Sequence, residues 1–292
     1  MRGGRARRSV AGMDAHRSHL LRDVPLTERR LRPAGAETVV LEGGQGPSLV
    51  LLHGGIECGG PVWAPVVARL AERHRVIVPD LPGLGASPPA DVIGAAEFAR
   101  WLTELLELTC DEPPVLVAHS LGGSLAARYA AAHGERLRRL VVYGAPGIGP
   151  YRMPAGLRVT AVRFALRPTA RNSERFERRA LHDLDAARER DPGWFAALGA
   201  ELLTRAREPG VKRTMRHLIA TGTARVPDDA LRRIPVPVDL VWGRHDRFVP
   251  LRLAEDASAR LGLALHVVED AGHAAHLDRP RAVADLLAGR PA

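Results

Sequence analysis

The sequence predicts an α/β protein: a doubly wound, mostly parallel sheet with a helical insertion. Three observations predict it. Short β-rich apolar runs alternate with amphipathic helical stretches through the first half of the chain. The alternation stops between about Gly149 and Ile234, where arginine-, alanine- and leucine-rich helical segments hold no convincing strand. It then resumes to the C-terminus, as expected for one sheet interrupted by an inserted unit.

The elements follow in order. Residues 1–32 hold nine arginines against Asp14, Asp23 and Glu28, so they carry +6 of the formal +9. They show no apolar periodicity and read as a disordered basic N-terminal arm, with Met13 as an alternative start. Strands are expected at 37–41 and 48–52, separated by Gly43, Gly44, Gly46 and Pro47. The second strand runs into Leu52-His53-Gly54-Gly55-Ile56, where glycine permits a backbone N–H to turn toward a ligand. Trp63, Val66, Val67 and Leu70 have helical spacing over 63–73. A strand at 75–78 ends in the rigid turn Asp80-Leu81-Pro82-Gly83-Leu84-Gly85-Ala86-Ser87, and an amphipathic helix follows over 97–108. Val115, Leu116 and Val117 form a buried strand, Ala118 to Gly123 an abrupt small-residue turn, and 124–132 an alanine-rich helix. After a strand at 140–143, helices are expected at 157–166, 175–188, 193–207 and 211–220. Strands at 237–242 and 263–268 then flank a helix at 251–261, and a last helix covers 281–287. The expected organisation is a core of 33–148 and 235–292 with a helical cap at 149–234, a placement that supplies a substrate pocket and excludes water.

Composition narrows the function classes. Beyond residue 32 the remaining 260 residues carry only +3, so no domain-wide basic face for nucleic acid is indicated. Lys212 is the only lysine, which marks arginine preference as a compositional habit. No apolar run approaches the ~18 residues of a membrane span, and no signal-peptide core follows the early arginines. A cytoplasmic protein without membrane attachment is expected. Cys58 and Cys110 cannot make a disulfide framework and read as free thiols.

The chemistry gathers around Val115-Leu-Val-Ala-His-Ser120-Leu-Gly-Gly-Ser124. Strand, sharp turn and helix are the setting in which a nucleophile elbow of G-x-S-x-G type exposes its serine, with the next N–H and the helix N-terminus at the same spot. Ala118 stands at the first motif position, one methyl larger than glycine. Asp246 and His273 follow two later strands, giving the order serine, acid, histidine. In a parallel sheet the strand C-termini share one edge, so distant residues converge there. His273 would accept the Ser120 proton and Asp246 would hold the imidazole tautomer.

These residues resemble the α/β-hydrolase superfamily, in its cap-bearing serine-hydrolase branch. The resemblance rests on His53-Gly54-Gly55, Asp80-x-Pro82-Gly83-x-Gly85-x-Ser87, Ala118-His119-Ser120-Leu121-Gly122-Gly123, Gly243-x-x-Asp246-x-x-Val249-Pro250 and Gly272-His273, over about 37–287. It implies an α/β-hydrolase fold, the catalytic residues Ser120, Asp246 and His273, and an oxyanion hole from the N–H groups of Leu121 and Gly55, with Ile56 as the neighbouring alternative. No cofactor is expected. His273-x-x-His276 lacks the glutamate of the zinc-binding H-E-x-x-H pattern, so no metal site is expected. His119 reads as structural and Asp80 as a buttress of its turn. The expected function is hydrolysis of a small-molecule ester, lactone or thioester through an acyl-enzyme. The alternatives are hydrolysis of a carbon–carbon bond in a diketone-like substrate, and a non-catalytic small-ligand binder on the same fold. Oligomeric state is not readable from this sequence.

Overall fold

The computed structural model describes residues 15–55, 59–89 and 94–289. Helix α1 occupies residues 15–20 and is followed by strand β1, Thr27–Leu31. Next come β2 (Thr38–Gly43), β3 (Ser48–Leu52), α2 (Ala64–Leu70), β4 (Arg75–Pro79), α3 (Ala95–Thr109), β5 (Val115–His119), α4 (Ser120–His133) and β6 (Arg139–Tyr143). Six helices then intervene without a strand: α5 (Ala155–Leu166), α6 (Ala170–Ala180), α7 (Leu184–Arg190), α8 (Pro192–Arg205), α9 (Pro209–Gly222) and α10 (Asp228–Arg232). The chain closes with β7 (Val238–Gly243), α11 (Leu251–Leu261), β8 (Ala264–Val268), α12 (Ala275–Asp278) and α13 (Pro280–Leu287).

The eight strands form one sheet in the order β1-β2-β4-β3-β5-β6-β7-β8. β1 and β2 run antiparallel, and every pairing from β4·β3 to β7·β8 is parallel. The central strands are buried on both faces, which is why they read as continuous apolar runs rather than alternating ones. One apolar layer packs Trp63, Val66 and Leu70 against Leu49, Leu51 and Val117; the other packs Phe98, Leu102 and Tyr129 against Val50, Leu116 and Val142. Alternate residues of each strand thus feed opposite layers. The chain reverses its sheet-filling direction beside β3 and β5, and at such a switch point a crevice opens outside the strand C-termini.

Two expectations need correction. Part of the expected disordered arm is ordered: residues 15–20 are helical, Leu20 is only 1% exposed, and Thr27–Leu31 pairs with β2 from Leu31↔Thr38 to Thr27↔Glu42. β1 is an exposed edge strand of sequence TERRL, so it has no apolar face to produce an alternating pattern. The single helix expected over 175–188 is broken between α6 and α7, where Asp183 caps α7 by accepting the Ala186 N–H at 3.0 Å. Residues 1–14, with Met13, and Cys58 lie outside the described residues. Cys110 is half-buried, and burial raises its thiol pKa. No helix among the described residues is long and apolar enough to cross a membrane.

Candidate active site

Ser120 follows β5 directly and opens α4, with φ at +54°. A non-glycine residue there is strained by its own Cβ, and such strain persists only when the surroundings over-determine it. They do so by close packing. A Cβ on Gly122 would stand 2.5 Å from the His53 carbonyl oxygen, and one on Gly123 would stand 2.6 Å from the Ala118 oxygen. α4 therefore lies hard against β3 and β5, leaving the serine hydroxyl at the tip of the turn. Ala118 is fully buried and sits in the paired part of β5 opposite Leu52 and Val142, so its methyl group is accommodated in the sheet layer.

The three separated side chains meet in one hydrogen-bonded line. His273 Nε2 lies 2.9 Å from Ser120 Oγ, and His273 Nδ1 lies 2.8 Å from Asp246 Oδ2. Asp246 is itself fixed, because its Oδ1 accepts the N–H groups of Phe248 at 2.7 Å and Val249 at 2.8 Å. Each carboxylate oxygen thus has a defined task. The histidine and aspartate side chains are 4% and 1% exposed, so their contact is little screened by water.

The imidazole is held by neighbours that the motifs do not announce. Phe248 stacks on it with centroids 4.7 Å apart. Gly144, at φ +58°, leaves room for it: a Cβ there would stand 3.3 Å from both Cε1 and Nδ1. His119 Nε2 lies 3.0 Å from the His273 carbonyl oxygen, so the residue before Ser120 ties this turn to the loop carrying His273. Asp278 accepts the Gly272 N–H at 2.7 Å and the His182 N–H at 2.9 Å, fastening that loop to the connection between α6 and α7. Burial raises the Asp278 pKa, against the lowering effect of those donors. His276 is buried, its N–H donates to the Tyr143 hydroxyl at 2.8 Å, and its ring stacks on Trp63.

A cavity of about 130 Å³ opens at Ser120 and His273. Gly55 and Leu121 lie at its edge, and a Cβ on Gly55 would meet Leu121 Cδ1 at 2.9 Å and Met215 Cε at 2.7 Å. Ile56 lies outside the described residues. Helices α5, α6, α8 and α9 contribute much of the remaining wall, including Leu157, Phe176, Leu198 and Ile219. Among the described lining residues no arginine or lysine is present, and Glu177 is the only acid. Glu177 is neutralised by Arg188 at 3.0 Å. Tyr151 borders the same space; burial and the Asp246 charge raise its phenol pKa, and its hydroxyl donates to the Phe248 carbonyl. Gly55, Ala161, Leu202 and Ile219 also border an adjoining space of about 510 Å³, which Arg205, Lys212 and Arg216 line as well. Elsewhere, His182, His245 and Asp270 bring one donor atom each within 4.8 Å of one another. There Asp270 is already paired with Arg279 at 2.7 Å and the two imidazoles stack on each other.

Comparison with known proteins agrees with this fold. The model of the alpha/beta hydrolase family matches residues 49–286. The chain is 34% identical over 263 residues to a pimeloyl-[acyl-carrier protein] methyl ester esterase of Aeromonas hydrophila, covering 84% of this chain and 95% of the relative. It is 28% identical over 277 residues to a 2-hydroxymuconate semialdehyde hydrolase of Pseudomonas putida, covering 90% and 93%. Among solved structures it resembles the 2-hydroxy-6-oxo-6-phenylhexa-2,4-dienoate hydrolase of Rhodococcus sp. strain RHA1, with a TM-score of 0.78, 25% identity, and coverage of 90% and 98%.

Proposed function

The chain belongs to the alpha/beta hydrolase family, and from that premise we propose that it hydrolyses small esters with an apolar acyl part through an acyl-enzyme on Ser120. The observation that carries this reading is the unbroken line Asp246–His273–Ser120, with contacts of 2.8 and 2.9 Å. His273 Nε2 takes the Ser120 proton as Oγ attacks the ester carbonyl carbon, and Asp246 stabilises the imidazolium that forms. The carbonyl oxygen, now an oxyanion, accepts the N–H groups of Leu121 and Gly55, with the α4 N-terminus adding favourable charge. The intermediate collapses as His273 returns the proton to the departing alkoxide. Water then enters, gives a proton to His273 and attacks the acyl carbon, releasing the acid and restoring Ser120. Residues 149–234 act as the cap that encloses the acyl part.

The pocket chemistry selects among substrates. Removing apolar surface from water is worth roughly 25 cal/mol per Å², and the wall beside Ser120 offers leucine, phenylalanine and isoleucine with no cation. The relatives that act on 2-hydroxymuconate semialdehyde or a dienoate take an acidic substrate. Among the described residues the wall beside Ser120 offers a carboxylate no arginine or lysine, such cations lining the adjoining space instead, which favours the ester reading over carbon–carbon cleavage. A panel of p-nitrophenyl esters of increasing acyl length, run beside a 2-hydroxy-6-oxo-dienoic acid, tests this. Saturable hydrolysis of short to medium acyl esters, with little turnover of the acid, is expected. Efficient cleavage of the acid with negligible esterase activity would reverse the assignment.

A further inference from the structure

We propose that Arg17, on the N-terminal helix, is a positioning residue for the oxyanion loop. The proposal rests on the ester-hydrolase reading above for its kinetic consequence.

Arg17 is 6% exposed in a segment whose sequence suggested a solvated tail. Its Nη1 lies 3.0 Å from Asp80 Oδ2, and its Nε donates to Glu28 Oε2 on β1 at 3.1 Å. Asp80 has a fully buried side chain, so its charge requires a partner. The same carboxylate holds the glycine-rich connection after β3. Oδ1 accepts the Gly60 N–H of that connection at 2.5 Å, and Oδ2 accepts the Ala86 N–H of its own turn at 2.7 Å. At the other end of that connection, the Leu81 N–H donates to His53 Nε2 at 2.9 Å. Asp80 therefore holds Gly60, and its neighbour Leu81 holds His53, two positions before Gly55.

The fit around Asp80 admits no slack. A Cβ on Gly59 would stand 2.3 Å from Oδ1, and one on Gly85 would stand 2.4 Å from the carboxyl carbon. Arg17 is thus the cation paired with this buried carboxylate and orients it, and Asp80 passes the placement to Gly60 and, through the adjacent Leu81 N–H, to His53. It also offsets the buried negative charge that Asp80, in the turn after β4, brings against the Gly60 N–H. The strap reaches the inserted helices as well: Trp194 Nε1 on α8 donates to the Leu20 carbonyl at 3.1 Å. Without the guanidinium, Asp80 keeps two backbone donors and loses its counter-charge. His53 and Gly60 then lose their fixed placement, and Gly55 no longer meets the oxyanion squarely.

The test uses the full chain with R17Q and R17K variants. Active sites are titrated with a fluorophosphonate, kcat per titrated site is measured on the best p-nitrophenyl ester, and amide hydrogen exchange is followed at Gly60 and Ala86. A purely structural role lowers the number of active sites and leaves kcat per site unchanged. The expected result is a kcat per site roughly 10- to 100-fold lower in R17Q, a KM within about threefold of wild type, and faster exchange at both amides. R17K keeps the charge but cannot span Asp80 and Glu28 together, so its kcat per site falls between the two. Wild-type kcat per site and wild-type exchange in R17Q overturn the proposal; if R17Q does not fold, the same result in R17K does so. If the wild type neither labels nor turns over ester, the Ser120 reading has failed, and exchange at Gly60 and Ala86 alone still decides whether Arg17 holds the loop.

Discussion

At the scale of single residues, reactivity depends on three side chains and on the room left for them. Serine is a weak nucleophile unless a base stands within hydrogen-bond reach, and His273 does so at 2.9 Å. Ser120→Ala is expected to lose about 10⁶ in kcat, and Asp246→Asn about 10⁴, measured on the same ester. More than a tenth of wild-type activity in Ser120→Ala would remove the nucleophile from the account. Gly144→Ala is expected to fold and to lose roughly tenfold or more in kcat, because its Cβ would press on the imidazole from a left-handed backbone position. Unchanged kcat in that variant would show that the ring has slack. The convergence of Ser120, Asp246 and His273 was legible in the sequence because each follows a strand recognisable by its apolar run. Gly144 was not, since its value lies in approaching the His273 ring; His119 was read as structural, but its partner, the His273 carbonyl, was not.

At the scale of elements, the strands of the parallel sheet were readable because burial on both faces makes them apolar throughout. β1 was not, because an edge strand with charged residues exposed to water has no such signature. Nor was the break after α6, where the helix-forming run Arg-Ala-Leu-His-Asp-Leu continues and only the Asp183 cap and the Asp278 contacts end it. Sheet pairing also sets the response to acid. Burial works to raise the Asp239 pKa, yet hydrogen bonds from Arg139 on β6 and His266 on β8 hold it below its ordinary value. The stabilisation is therefore present above the unfolded-state pKa, about 4, and is lost as pH falls through the folded-state value. Asp239→Asn is expected to lower the melting temperature at pH 7 and to flatten its fall below about pH 4, followed by thermal denaturation across pH. A parallel shift at every pH would show that the ion pair is not the source. Asp278 titrates in the opposite sense, since burial raises its pKa. Asp278→Ala strands three backbone donors and is expected to destabilise by about 2–3 kcal/mol. An unchanged melting temperature would deny Asp278 its fastening role.

At the scale of the whole molecule, one sheet places Asp246, His273 and Ser120 beyond the C-terminal ends of β7, β8 and β5, while helices α5, α6, α8 and α9 supply part of the apolar wall over them. This division was visible in the sequence as a pattern that stops and resumes. The cavity it encloses was not, because its lining comes from residues scattered from Gly55 to Leu277, whose proximity only the packed fold creates. The N-terminal strap was hidden for the same reason: Arg17 and Asp80 are 63 positions apart, and an arginine-rich stretch gives no sign of which arginine is buried. The central claim is that this architecture makes one serine reactive. The most direct measurement is to treat the folded protein with a fluorophosphonate and map the modified peptide by mass spectrometry. Modification at Ser120, abolished in His273→Ala, is the result expected; an unmodified Ser120 in folded protein, or labelling that persists without His273, would contradict it.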